Sequence, residues 1–220
     1  LEQGHPKKSL LIRVVKRGLI LVLLGVIYNN GLRFIPLDEI RFPSVLGRIG
    51  LAYMFANIIY ILSSVRARYF WLGGLLLGYW ALLACLAAPG FAAGDLSIEG
   101  NVVSFLDRTL LPGHLYRGIH DPEGLMGTIP AIATALLGIF TGEMLRATAP
   151  DQKRKTTLRL IILGIGALIL AQLWNLIFPI NKNLWTSSFV LQCGGLSLLL
   201  MAVFYYIIDI LGYRKWAFFF

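Results

Sequence analysis

The sequence predicts an all-α membrane protein, a polytopic helical bundle with six transmembrane helices in this segment. Three observations predict it. Hydrophobic residues make up 57% of the 220 residues, charged residues only 14%, and the mean hydropathy is +0.73; a globular domain sits near half apolar and a quarter charged. Six apolar stretches, at about 10–30, 44–64, 69–88, 124–145, 157–178 and 184–209, are long enough to cross a ~30 Å hydrocarbon core. The cations alternate with them. Fourteen of the twenty Lys and Arg fall before the first stretch or in its opening turns, between the second and third, between the fourth and fifth or in the fifth's first turn, and after the sixth. Lys- and Arg-rich loops stay in the cytoplasm, so both ends of this segment are expected there. The net charge of +9 therefore reports topology and contact with anionic headgroups. It forms no basic stripe with interleaved aromatics, and no nucleic-acid partner is expected.

The elements follow in order as one transmembrane bundle over residues 1–220. The first helix runs on from Lys16-Arg17 and stops at the turn chemistry of Asn29-Asn30-Gly31. Ser44, after Pro43, is the expected N-cap of the second helix, which places Arg48 one turn inside. The short turn Arg66-Ala67-Arg68 links the second helix to the third. An outer loop spans about 90–122, a length usually reserved for function or disorder. Its apolar run Val102–Leu111 and its Phe105, Leu115 and Tyr116 suggest an ordered loop on the outer membrane face. The fourth helix is expected to open at Asp121-Pro122-Glu123-Gly124, with Asp as N-cap and Pro at the first helical position. Pro130 should kink it. A tight outer turn, Pro179 to Trp185, joins the fifth helix to the sixth, and Gly194-Gly195 marks a thin point where another helix can pack. The start at Leu1 and the closing run Trp216–Phe220 predict a segment cut from the middle of a longer chain.

Chemistry-bearing residues are few. Cys85 and Cys193 lie in apolar runs and are expected as buried free thiols. His5, His114 and His120 lack metal-ligand spacing, and no metal site is expected. No Gly-x-Ser-x-Gly motif, Cys–His pairing or phosphate-cradling glycine loop is present. Asn57, Gln172, Asn175 and Gln192 lie in hydrocarbon, where they either hydrogen-bond between helices or line a wet cavity. Glu143 reads as a helix salt bridge to Arg146. The outer side is richer. Asp121 and Glu123, the turn residues Asn181, Lys182, Asn183 and Trp185, and the cations Arg41 and Arg48 share one membrane plane. Carboxylates, amides and a Trp suit a sugar by hydrogen bonding and ring stacking. The plainer alternative is that Asp121 only caps and Lys182 only anchors.

Three of these stretches carry a resemblance. Val45-Leu46-Gly47-Arg48-Ile49-Gly50, His120-Asp121-Pro122-Glu123-Gly124-Leu125-Met126-Gly127-Thr128-Ile129-Pro130 and Pro179-Ile180-Asn181-Lys182-Asn183-Leu184-Trp185-Thr186-Ser187-Ser188 stand in the order and spacing of the heparan-α-glucosaminide N-acetyltransferase family, and the likeness runs over essentially all of the chain. The resemblance implies an enzyme that takes acetyl-CoA from the cytoplasmic side and acetylates the amine of a glucosamine on the far side. In a bacterium it would sit in the inner membrane, facing the periplasm. The family's proposed catalytic His lies before this region, and neither His114 nor His120 matches its motif. No catalytic residue is therefore assigned within these 220 residues, and the segment alone should be inactive. On this reading Asn57, Gln172 and Asn175 would hold the pantetheine arm of the donor, while Asp121, Glu123, Asn181, Lys182, Asn183, Trp185 and Arg48 would hold the acceptor. The expected partners are the lipid bilayer and an amino-sugar acceptor, with packing between copies of the chain as an open alternative to packing within one bundle. The alternative function is an amino-sugar transporter of the N-acetylglucosamine type, which broken helices in matching halves would favour.

Overall fold

The computed structural model describes residues 6–213; His5, Arg214, Lys215 and the run Trp216–Phe220 lie outside them. Seven α-helices and no β-strands are found among the described residues. They are α1 (Lys7–Asn30), α2 (Val45–Leu62), α3 (Val65–Cys85), α4 (Val102–Leu110), α5 (Thr128–Arg146), α6 (Lys153–Asn175) and α7 (Ser187–Tyr205), the last continued by a π-helical turn over Tyr206–Ile210. This is a helical membrane protein. Five of its helices, α2, α3, α5, α6 and α7, are long and apolar enough to cross a bilayer. α1 is the sixth expected helix, and its composition separates it from the others. Its 24 residues begin with Lys7, Lys8, Arg13, Lys16 and Arg17, leaving Gly18–Asn30 charge-free. That part is about 20 Å long, shorter than the hydrocarbon core.

The described residues group into two compact units. One holds residues up to Leu136 together with Asn181–Ser187; the other holds Leu137–Ile180 and the chain from Ser188 onward. In the first, α1 and α2 approach at glycines. A Cβ on Gly18 would sit 2.9 Å from the Gly50 carbonyl oxygen, and one on Gly50 would sit 2.6 Å from that of Gly18. Only glycine lets two backbones come so close. Ser44 caps α2 as expected, its Oγ accepting from the Gly47 amide at 2.9 Å. α3 starts earlier than expected because Ser64 caps it, so Arg66 and Arg68 lie in its first turn and the connection is Ser63-Ser64. In the second unit α6 and α7 meet at Gly164 and Gly195, each of whose Cβ atoms would lie within 3.0 Å of the other's carbonyl oxygen. The thin point read at Gly194-Gly195 is thus a helix contact, whereas Gly73, Gly74, Gly138 and Gly142 face open space.

Three expectations are corrected. The loop at 90–122 contains a helix: Asn101 caps α4 through its Oδ1, which accepts from the Ser104 amide at 2.7 Å, and Val102, Val103, Ser104 and Asp107 are buried. The helix expected from Asp121 begins instead at Thr128, since Asp121–Gly127 forms turns. Pro130 then falls in the first turn of α5, where a missing amide breaks nothing and no kink is required. Neither cysteine forms a disulfide, and neither is fully buried as expected: Cys85 is exposed at the end of α3 and Cys193 is half-buried on α7.

Candidate functional site

Three connections of the chain meet in the first unit. The α1–α2 connection is held from its own helix. Asn30 Oδ1 accepts the Arg41 amide at 3.0 Å, Asn30 Nδ2 donates to the Arg41 carbonyl at 3.0 Å, and Asn29 Nδ2 donates to the Pro43 carbonyl at 2.7 Å. These side chains fix Arg41 from both backbone sides. Gly113, at φ 76°, pairs with Arg41 across an isolated antiparallel bridge, and the His114 amide donates to the Ile40 carbonyl at 3.1 Å. The loop after α4 is thereby laid against the loop before α2.

Arg41 then closes the junction. Its Nε and Nη2 donate to Asp121 Oδ2 and Oδ1, each at 2.8 Å, and Nη2 also reaches Glu123 Oε2 at 2.7 Å. The Tyr116 ring lies 4.7 Å from the guanidinium carbon. Asp121 also accepts the amides of Tyr116 at 2.9 Å and Glu123 at 3.0 Å, and its side chain is fully buried. Burial raises its carboxyl, but the hydrogen bonds from Arg41 and from the two amides outweigh this and hold it below the usual carboxylate range. The same hydrogen bond to Asp121 raises Arg41.

The third connection is the Asn181–Trp185 turn. Asn181 Oδ1 accepts the amides of Asn183 at 2.9 Å and Leu184 at 3.3 Å, while the Asn181 amide donates to Thr186 Oγ1 at 2.9 Å. The fold forces Trp185 to φ 53°, a left-handed conformation that is uncommon for a residue of its bulk. That conformation places the indole 4.9 Å from the Arg48 guanidinium, with Nε1 donating to Thr134 Oγ1 at 3.3 Å. The turn is tied to α3 by Tyr79, whose buried hydroxyl donates to the Leu184 carbonyl at 2.6 Å, and by Ser187, which donates to the Leu76 carbonyl at 2.7 Å.

Arg48 is the centre of this arrangement. It is 6% exposed, and its guanidinium fills the space a Cβ on Gly127 would need. Nη2 makes a long bond, 3.3 Å, to the Gly124 carbonyl, and Nε has no hydrogen-bond partner among the described residues. Asp107 lies near enough to feel its charge. The Asp107 carboxylate accepts the Met126 amide at 3.1 Å and packs on Gly124. Burial pushes its carboxyl up to about 6, against the pull of the Met126 and Leu125 amides and of Arg48. His120 is buried alongside, with Nδ1 2.7 Å from Ser104 Oγ and with Nε2 unpartnered among the described residues. Burial lowers its imidazole, which is therefore neutral at pH 7. A stacked guanidinium with a spare donor, ringed by carboxylates and an aromatic face, can take a polar, oxygen-rich ligand.

No family model matches the chain. It is 28% identical over 265 residues to human heparan-alpha-glucosaminide N-acetyltransferase, a match covering 96% of this chain and 40% of that protein. The mouse protein of the same name is 28% identical over 266 residues, with the same shares covered. The chain is thus similar to these N-acetyltransferases over nearly its whole length. It spans about 40% of their length. The likeness anticipated from three short motifs thus runs along nearly the whole chain, which includes all three connections that build the Arg41–Arg48 cluster.

In this chain the expected acceptor residues divide. Asp121, Glu123, Arg48 and Trp185 come together in the cluster. Asn181 and Asn183 build the turn that carries Trp185, the first by its side chain and the second by its amide. Lys182 is exposed, and its carbonyl accepts the Trp185 amide at 3.3 Å. Asp121 is not a helix cap; its carboxylate serves Arg41. The expected donor residues are hydrogen-bonded within the protein, Asn57 and Asn175 locally and Gln172 across to α7. Asn57 donates to the Tyr53 carbonyl at 2.8 Å, Asn175 Oδ1 accepts the Ile180 amide at 2.7 Å, and Gln172 Nε2 donates to Gln192 Oε1 at 3.0 Å. Asn57 belongs to the first unit, Gln172 and Asn175 to the second. The sequence reading missed Tyr79, Asp107 and the Ser104–His120 pair. Asp107 carried a signal as an acid inside an apolar run, and His120 as the first residue of the second motif.

Proposed function

We propose that the protein carrying this chain is a transmembrane N-acetyltransferase that moves acetyl from cytoplasmic acetyl-CoA to the amine of an amino sugar on the opposite side of the membrane. The observation that supports it is the convergence of three connections, all on the acidic side of the charge pattern, at Arg41, Arg48, Glu123 and Trp185. In this reading Glu123, 23% exposed, and Arg48, through its spare Nε, receive the sugar's polar groups, and Trp185 and Tyr116 offer ring faces. Asp121, fully buried, positions Arg41 and does not touch the sugar. The amine nitrogen attacks the thioester carbonyl, a C–N bond replaces the C–S bond, the ammonium proton leaves to a base, and the thiolate takes a proton. Neutral His120 and Asp107, whose carboxyl is pushed up to about 6, are buried proton-accepting groups beside this cluster. Arg66 and Arg68 in the first turn of α3, and Lys155 and Arg159 on α6, face the nucleotide end of the donor, and the protein lies in a bacterial inner membrane.

The matching similarity to the N-acetyltransferases supports the reaction class. The transporter reading loses its one support, because Pro130 sits in the first turn of α5 and does not interrupt it. Full-length protein in sealed, oriented vesicles tests the proposal, with labelled acetyl-CoA on the side of Lys153 and glucosamine on the side of Asp121. Labelled N-acetylglucosamine in the glucosamine compartment supports it. Unmodified glucosamine crossing the membrane with no label transferred overturns it.

A further inference from the structure

The second unit contains a cavity of about 730 Å³ that the acetyltransferase reading does not use. It is a groove between the start of α6 and the end of α7. Arg154, Thr157 and Ile161 line one wall, and Leu199, Ala202 and Tyr206 line the other. Its volume falls within the ~300–1,000 Å³ of small-molecule sites. The α6 residues recur at the helical spacing of one face and cover about 10 Å along the axis.

Charge is unevenly placed around it. Four cations lie near the start of α6: Lys153, Arg154, Lys155 and Arg159. Of these only Arg154 lines the groove. Lys153 Nζ is turned to the Asp209 carbonyl at 3.0 Å, and Lys155 and Arg159 fall on other faces of the helix. The carboxylates near this end are Asp151 and Asp209, and Arg154 pairs with neither among the described residues. Arg154 is exposed at the second residue of a membrane-crossing helix, at headgroup depth, with Tyr206 across the groove. Below it the walls are apolar, apart from the Thr157 hydroxyl, which bonds back to the Lys153 carbonyl at 3.0 Å.

We propose that this groove binds one anionic phospholipid, its phosphate on Arg154 and the upper part of an acyl chain along Ile161, Leu199 and Ala202. The cation sits at one end, and what remains is the shape and polarity of a hydrocarbon chain. A zwitterionic lipid fits the apolar walls equally well but gains less from Arg154. The expected preference is about fivefold, the ~1 kcal/mol that one cation near an anionic surface contributes.

Native mass spectrometry of the full-length protein, equilibrated with equal amounts of phosphatidylglycerol and phosphatidylcholine of identical chains, tests the proposal. Wild type should retain one phosphatidylglycerol at about five times the occupancy of phosphatidylcholine. Arg154→Gln should remove the preference while keeping residual binding of both lipids. Lys155→Gln should keep the preference, and Val203→Trp, at an exposed flank of the groove, should lower both occupancies. Equal retention of the two lipids by wild type would overturn the assignment. So would an equal loss in Arg154→Gln and Lys155→Gln, which would mean a diffuse surface effect. Displacement of the lipid by millimolar inorganic phosphate or coenzyme A would overturn it in favour of a soluble phosphate ligand.

Discussion

Removing the Asp121 carboxylate should release the loops at 36–43 and 111–127 together. The side chain is fully buried and accepts four hydrogen bonds, two from Arg41 and two from the Tyr116 and Glu123 amides. Deleting one partner of a buried ion pair costs about 3–5 kcal/mol, mostly because the other charge is left uncompensated. Here Arg41 keeps Glu123 and is 16% exposed, which favours the lower half of that range. The two orphaned amides push it back up, at roughly 1–3 kcal/mol for each buried donor left unsatisfied. These terms are not additive, and Asp121→Ala is expected to cost about 3–5 kcal/mol in total. The effect should be local, because α1, α2 and α5 keep their own packing. Hydrogen exchange of the two loop segments at pH 7 is the direct readout, and the opening equilibrium should rise by about 10²- to 10⁴-fold. Glu123→Gln is the control; Glu123 is partly exposed, so its pairing contributes about 1 kcal/mol or less. If Asp121→Ala exchanges no faster than Glu123→Gln, Arg41 does not close the junction. The sign of the pH response follows from the lowered carboxyl. The stability Asp121 contributes is present above its unfolded value of 3.8 and is lost as pH falls through the lower folded value.

Asp107 should titrate the other way: its carboxyl rises from 3.8 to about 6, so its favourable state is complete below 3.8 and is lost as pH rises through 6. That shift corresponds to about 3 kcal/mol, and thermal unfolding of Asp107→Asn should lack this fall in stability between pH 4 and 7; an unchanged pH profile would refute the assignment. Asn181→Ala should lower acetyl transfer without affecting membrane insertion, and Asn181→Asp, which keeps the acceptor for Asn183 and Leu184, should restore it; an active Asn181→Ala would count against a site on that turn. Tyr79→Phe leaves the Leu184 carbonyl without its buried donor and should cost about 1–3 kcal/mol in thermal stability. Gly195→Val should force α6 and α7 apart at Gly164 and cost about 1–3 kcal/mol, read as a lowered melting point in detergent.

The fold was legible where the solvent dictates it. Lipid demands long apolar stretches with satisfied backbones, and α2, α3, α5, α6 and α7 answer that demand within a few residues of the expected bounds. The misses share a cause. α4 is 9 residues long, too short for periodicity to identify inside a loop, and its stability comes from the Asn101 cap and a buried face. The Asp121-Pro122-Glu123-Gly124 stretch has every local mark of a helix start. It forms turns because Arg41, eighty residues earlier, claims the carboxylate that would have capped. Tertiary pairing overrides a local signal of about 1 kcal/mol when the competing contact is a bidentate ion pair. Tyr79 carries no signal at all, being one aromatic among many in an apolar helix. Its role exists only because the Leu184 carbonyl needs a donor.

The two acids of the cluster explain why the site takes its shape from so few residues. Asp121 and Asp107 are both buried, yet one carboxyl is lowered and the other raised to about 6. The difference lies in their cations. Arg41 meets Asp121 at 2.8 Å through two nitrogens, whereas Arg48 acts on Asp107 without an ion-pair contact and spends its guanidinium on Trp185 and the Gly124 carbonyl. One arginine is saturated and fixes the loops. The other keeps Nε unpartnered in a buried setting, a state that costs roughly 1–3 kcal/mol unless a ligand or water supplies the acceptor. The first pair builds the frame, and the second leaves inside it the unmet valence that a bound acceptor can satisfy. Arg48→Lys separates the two roles: lysine keeps the charge near Asp107 but loses the Trp185 stacking and the fork. Exchange protection at 111–127 should therefore survive in Arg48→Lys while the KM for the acceptor rises. Loss of both would make Arg48 part of the frame.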